Sequence, residues 1–441
     1  ACADIQDRLT HLRSDLNADE VRVMCDLRQA KRDLSLAVAI ADITNIWSVE
    51  QITHALSDFA DKTLSCAASY ALRKAADSGA ITLAYEDDPE RDSGYIILGM
   101  GKLGAGELNY SSDIDLIILF DPEVIRTDKP DDLQRQFVRI TRNLVKVMDE
   151  RTADGYVFRT DLRLRPDPSA TPIAVSVQAA EVYYESLGQN WERAAMIKAR
   201  PVAGDLKAGT ALIDWLTSFV WRKNLDFEAI RDIHSIKRQI NAHRGGNTIA
   251  LAGHNIKLGR GGIREIEFFT QTQQLIWGGR TQELRKIKTV DALATLAEHE
   301  RIDPSVATEM TTSYRFLRRV EHRLQMVNDA QTHTLPADHE GLNKIAIFLG
   351  YENTEMFGED LLRHLRNVET HYAALFEESE PLSIQGDVRG NLVFTGADTD
   401  PETLSTLENL GFENPQAVDS MVRVWHHGRY RSTHNTRARQ L

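Results

Sequence analysis

Gly99-Met-Gly-Lys-Leu-Gly-Ala-Gly-Glu-Leu-Asn-Tyr-Ser-Ser-Asp-Ile-Asp-Leu116 decides how this chain is read. Tyr95-Ile-Ile-Leu98 runs up to it, and its end continues through Asp113-Ile-Asp-Leu-Ile-Ile-Leu-Phe120. Unbroken apolar runs of this length, bounded by turn residues, are the pattern of strands buried on both faces. Two buried strands therefore bracket a glycine-rich turn. Asp113 and Asp115, at i and i+2 of a strand, point to one face and stand close enough to hold a divalent cation between them. An isolated Asp-x-Asp is more often a solvated turn or a cap, so its surroundings decide.

A third strand is expected in Gly155-Tyr-Val-Phe-Arg-Thr-Asp-Leu-Arg-Leu-Arg-Pro166, where strict alternation puts Phe158, Leu162 and Leu164 on a core face. Arg159, Asp161, Arg163 and Arg165 then form the charged face. Asp113, Asp115 and Asp161 on neighbouring strands would suit two Mg²⁺ ions about 3.5 to 4 Å apart, with Mn²⁺ as a substitute, an arrangement used for in-line displacement at phosphorus. Gly101, Lys102 and Ser112 are candidate phosphate-binding residues, because a glycine-rich backbone offers N–H groups and Lys102 a point charge. Arg163 and Arg165 would neutralise phosphate charge; the plainer reading of both is surface ion pairing with local acids.

Two phosphate-loop readings fail. Gly99-x-Gly101-x-x-Gly104 after a strand mimics a dinucleotide fingerprint, with Asp121 ending the next strand. Only the eight residues Ala105 to Ser112 precede Asp113, too few for a crossover helix between parallel strands. Lys102 is followed by Leu103 rather than Ser or Thr, which excludes a Walker loop. The 14 histidines show no metal-ligand spacing, and Cys2, Cys25 and Cys66 form neither a CxxC nor a disulfide framework, so a reducing cytoplasm is expected.

Outward from this centre the pattern is helical. Leu34, Val38 and Ala41, then Ile52, Leu56 and Phe59, mark a helical opening over 1–92. The strands and a helix with Leu133, Phe137, Ile140, Leu144 and Met148 on one stripe make a domain over 93–178. Residues 179–383 read as an all-helical bundle, with Met310, Tyr314, Leu317 and Leu324 on one long stripe. Gly386, Gly390 and Gly396 suggest a linker, and 384–441 would be that linker and the start of a connector. Both ends read as cuts within a longer chain. At 441 residues, 42% apolar and 27% charged, the composition is globular, and the longest apolar run is too short to span a bilayer. A net charge of −13 argues against binding nucleic acid non-specifically.

The Gly99 to Leu116 stretch resembles the signature of glutamine synthetase adenylyltransferase/adenylyl-removing enzymes. Thr160-Asp-Leu-Arg-Leu-Arg-Pro166 and Lys257-Leu-Gly-Arg-Gly-Gly-Ile-Arg-Glu-Ile-Glu-Phe268 are similar to the same family. The resemblance implies an α+β fold, a DNA-polymerase-β-like nucleotidyltransferase domain with a mixed sheet plus helical bundles. The wider superfamily carries Gly-Ser before its acid pair; here Gly101-Lys102 stands in that place. One half of the family enzyme attaches AMP to a tyrosine of glutamine synthetase, and the other removes it by phosphorolysis, releasing ADP. Gly261 to Phe268, followed by Gln274-Leu-Ile-Trp-Gly-Gly-Arg280, resembles the removing half. The partners then implied are adenylylated glutamine synthetase and inorganic phosphate, with glutamine and a PII-type signal protein as regulators. The AMP-transferring half, or another metal-dependent nucleotidyltransferase, is the alternative. A catalytically silent regulatory module fits an intact set of three aspartates poorly. Glu265 and Glu267, at i and i+2 of a helix, cannot share a face, and packing is expected of both.

Overall fold

A computed structural model describes residues 2–16, 18–222, 249–377 and 401–427. They fall into two compact units, one drawn from 2–16, 18–222 and 249–372 and the other from 373–377 and 401–427. The first unit opens on three helices, α1 (Cys2–Ser14), α2 (Glu20–Ile43) and α3 (Val49–Asp77). Asp19 caps α2 by accepting from the Arg22 amide, and Ser48 with Gln51 closes a capping box on α3. Caps of this kind are worth about 1 kcal/mol each. The apolar stripes read from sequence, Leu34 and Val38 on α2 and Ile52, Leu56 and Phe59 on α3, are all buried.

The sheet contains β1 (Tyr95–Gly99), β2 (Ile114–Phe120), β3 (Thr160–Asp161), β4 (Val175–Ser176) and β5 (Arg200–Gly204), in the order β3-β2-β1-β5 with β4 also on β2. Between β1 and β2 lies one short helical turn, α4 (Gly101–Gly104). β1 pairs antiparallel with β2 and β5, and β2 pairs parallel with β3 and β4, so the sheet is mixed. Antiparallel pairing of β1 with β2 rules out the parallel crossover of a dinucleotide fold. Pleating divides the apolar runs between two cores. Tyr95, Ile97, Leu116, Ile118 and Phe120 pack toward α1, α2, α3 and α5 (Leu133–Asp149). Ile96, Leu98, Ile117 and Leu119 pack toward α6 (Val177–Ser186), α7 (Asn190–Met196) and α8 (Leu206–Val220).

Three sequence expectations need correction. The sheet does not end at residue 178, because β5 supplies an edge strand to β1; at five residues it is lost in a helical surrounding. The strand expected over 155–166 is only Thr160–Asp161. Arg165 folds the rest into turns, donating to the carbonyls of Leu162 (2.8 Å), Pro168 (2.8 Å) and Thr171 (3.1 Å). Residues 179–383 are not a separate bundle either. Helices α9 (Ile263–Trp277), α10 (Thr289–Glu298), α11 (Pro304–Asn328), α12 (His339–Phe348) and α13 (Thr354–Glu377) follow, and the chain up to Tyr372 belongs with the sheet. The reason is polar as well as apolar. On α11, Met310, Tyr314, Leu317 and Leu324 are buried as expected, and Arg323 donates to Asp42 Oδ1 of α2 at 2.8 Å.

The second unit contains α14 (Pro401–Asn409) and α15 (Pro415–His427). The linker expected around 384–393 lies outside the described residues. No helix among those described is long and apolar enough to cross a membrane.

Candidate active site

The parallel register of β2 and β3 sets Asp115 directly beside Asp161, and Asp113 lies one pleat before Asp115. The three carboxylates expected to act together are thus neighbours at one end of the sheet. Their electrostatics differ. Asp115 is pushed up to about 6 by burial and by the negative charges of Asp161 and Asp113, against the pull of Lys257. Burial also acts on Asp161, but Arg163 outweighs it and holds the carboxyl below its ordinary range. Arg163 Nη2 sits 2.6 Å from Asp161 Oδ2 and its Nε 2.9 Å from the same oxygen. The plainer reading of Arg163, an ion pair with a local acid, is the one seen.

The glycine turn is positioned from beneath. Gly101 has a φ of +52°, and a Cβ there would come 2.9 Å from Asp115 Oδ2, so only glycine lets the turn close over the carboxylate. Lys102 is engaged by a carboxylate of another element: both oxygens of Glu321 on α11 accept from its ammonium, at 2.8 and 2.9 Å. Burial lowers Lys102 to about 8, and Glu321 resists that fall. Arg318, also on α11, donates to the Glu107 carbonyl at 2.6 Å and to Asn109 Oδ1. Gln325 Oε1 accepts from the Ser111 amide at 3.0 Å, and Ser111 Oγ donates to the Asp329 carbonyl at 2.9 Å. Much of the long motif is therefore a contact surface for one helix. Ser112 adjoins this turn, and Arg165 is spent on loop carbonyls as described. Glu267 forms a buried ion pair with Lys198 (3.0 Å), and Glu265 accepts from the Gly261 amide (2.8 Å), so both serve packing.

Sequence reasoning missed two cations. Arg159, read only as part of a charged face, donates through Nε to Asp113 Oδ1 at 2.6 Å and through Nη2 to the Ser111 carbonyl at 2.7 Å. Lys257 acts on Asp115 from far along the sequence. Arg159 had a signal, since it shares a strand face with Asp161. Lys257 had none, because no local pattern joins it to residue 115. Among the described residues no group of three or more His, Cys, Asp and Glu side chains is drawn together as a metal cluster. Arg159 pairs with Asp113 and Arg163 with Asp161. The donors still fit a hard divalent cation, being carboxylate oxygens, one of them buried against two like charges that a cation would relieve.

Residues 1–214 match the family model "Glutamate-ammonia ligase adenylyltransferase", and residues 233–376 match "GlnD PII-uridylyltransferase". The aspartates fall in the first match, Lys257 and Glu321 in the second. A bifunctional glutamine synthetase adenylyltransferase/adenylyl-removing enzyme of Rhizobium meliloti is 54% identical over 96% of this chain and 42% of its own length. Its counterpart in Agrobacterium fabrum is 55% identical over the same shares, and that of Bartonella henselae 49% over 99% of this chain and 45% of its own. The chain spans less than half the length of these curated relatives. With paired strand aspartates, a third in register, and identity of this degree along nearly all its residues, the chain belongs to the family of glutamine synthetase adenylyltransferase/adenylyl-removing enzymes.

Proposed function

We propose that this chain removes AMP from an adenylylated tyrosine of glutamine synthetase by phosphorolysis, releasing ADP. The observation that carries the nucleotidyl-transfer part is the register of Asp115 with Asp161 on parallel strands, one pleat from Asp113. Asp113, Asp115 and Asp161 would hold Mg²⁺, or Mn²⁺ in its place. Such ions would supply charge neutralisation for displacement at phosphorus. The chain's own residues do the rest. Arg159 and Arg163 hold the carboxylates of Asp113 and Asp161 in place, and Gly101 lets the turn close over the Asp115 carboxylate. Support for the removing direction is the stretch 261–268 followed by 274–280, which resembles the removing half. To this reading belong a cytoplasmic setting and control by glutamine and a PII-type protein, for which the resemblance alone speaks.

The test is incubation of the chain with adenylylated glutamine synthetase, Mg²⁺ and phosphate, identifying the nucleotide released. ADP, dependent on phosphate, is expected. Consumption of ATP with pyrophosphate release and labelling of unmodified synthetase assigns the transferring half instead. Free AMP makes water the nucleophile.

A further inference from the structure

Two lysines stand beside the aspartates, and one of them is already paired. Lys102 is taken by Glu321. Lys257 is half-buried, and its ammonium has no hydrogen-bond or ion-pair partner among the described residues. Its backbone is held firmly. Asn255 Oδ1 accepts from the amides of Lys257 (3.0 Å) and Leu258 (2.8 Å), and the Ile256 amide donates to the His333 carbonyl (2.9 Å). Gly261, at φ +76°, closes the loop where a Cβ would meet the Leu365 carbonyl oxygen at 2.1 Å.

Bonded neighbours locate this loop. Ile256 is tied to His333, and His333 Nδ1 lies 3.0 Å from Glu321 Oε1, the oxygen 2.8 Å from Lys102 Nζ. Lys102 follows Gly101, which abuts the Asp115 carboxylate. The Lys257 charge is felt accordingly by Asp115, Lys102, Glu267 and His333. A half-buried lysine on a braced loop, without a counterion in bonding range among the described residues, keeps its donors open to an anion entering the site. Phosphoryl oxygen is the anion this reaction brings.

We propose that Lys257 is the cation that binds a phosphoryl oxygen of the substrate, in the role the sequence assigns to Lys102; this rests on the nucleotidyl-transfer reading of the aspartates. Two phosphorus atoms could supply that oxygen, the one of AMP and the one of the attacking phosphate. ADP carries both, and AMP only the first.

Calorimetric titration of ADP and of AMP, each with Mg²⁺, into the chain separates them. In Lys257→Gln the affinity for ADP should fall about tenfold, the loss of one charge-assisted hydrogen bond. Lys257→Arg should recover it to within about threefold, since the charge is kept and only its geometry changes. Loss confined to ADP assigns Lys257 to the phosphorus of the attacking phosphate; equal loss for ADP and AMP assigns it to the phosphorus of AMP. Unchanged affinity for both in Lys257→Gln, with an unaltered unfolding midpoint, overturns the inference, as does failure of the unsubstituted chain to bind either. Turnover of adenylylated synthetase is read separately. A chain that binds ADP through Lys257 yet releases none from the synthetase loses the phosphorolysis reading and keeps this one.

Discussion

Arg163 closes on Asp161 with 85% of its side chain exposed, whereas Glu321 receives Lys102 and stands beside Arg318 with none of its own exposed. Both are ion pairs of ordinary length. Their surroundings give them opposite uses. Water and salt screen the first, so its partners separate at little cost and a ligand can replace either. The second has no solvent to fall back on, and losing one partner leaves an uncompensated buried charge. Arg159 with Asp113, each about a quarter exposed, stands between these extremes. Pairs at the aspartates are exchangeable, and pairs under the glycine turn are fastenings.

The largest effect that would test this contrast is catalytic. Asp115→Asn should lower turnover of adenylylated synthetase by about a thousandfold or more, because one ligand charge is deleted while shape is kept. Its urea unfolding midpoint should not fall, since the lost carboxylate is one that burial already disfavours; a substantial drop would make Asp115 a fastening too. Next comes Glu321→Gln, expected to cost about 3–5 kcal/mol in urea unfolding because Lys102 and Arg318 lose their buried counterion. A cost below about 1 kcal/mol would erase the distinction between the two regions.

A buried group that stays neutral sharpens the comparison. Burial lowers His364 to about 4, where it stacks on Phe316 with its Nδ1 3.0 Å from Ser313 Oγ. An imidazole depressed below its unfolded value contributes stability that is present above about pH 6.5 and is lost as pH falls toward 4, because only the unfolded chain takes up the proton in that window. The loss should reach roughly 2–3 kcal/mol by pH 4, and His364→Phe should remove that part of the slope in a series of unfolding curves. The smallest effect is expected of Arg163→Ala, whose unfolding midpoint at neutral pH should shift by no more than about 0.5 kcal/mol.

What was legible in the sequence followed from short-range pattern. Tyr95–Gly99 and, after Asp115, Leu116–Phe120 announced themselves as apolar runs because both faces of the sheet are covered. Asp113 and Asp115 were read as one-sided by parity alone, and the neighbour they find in Asp161 came from the same rule. The partner of Lys102 was not legible for a physical reason: a lysine in a glycine turn looks the same whether it faces phosphate or a carboxylate, and Glu321 lies 219 residues away. Arg200–Gly204 stayed hidden since five residues give too little pattern to outweigh helical neighbours. The alternation through 155–166 misled because Arg165 turns its own backbone, which a period-two count does not register.

Helix α11 carries a consequence for engineering. Within eight residues, Arg318, Glu321 and Gln325 reach the glycine turn while His322 and Arg323 reach Asp42 of α2. A graft of residues 93–178 onto a foreign scaffold would carry every aspartate and still arrive with Lys102, Asn109 and the Ser111 amide stripped of their partners. Three unsatisfied polar groups under one turn would favour its rearrangement. The portable piece is consequently discontinuous. It joins the sheet to Pro304–Asp329, and any circular permutation or chimera that respects this must keep both on one side of its junction.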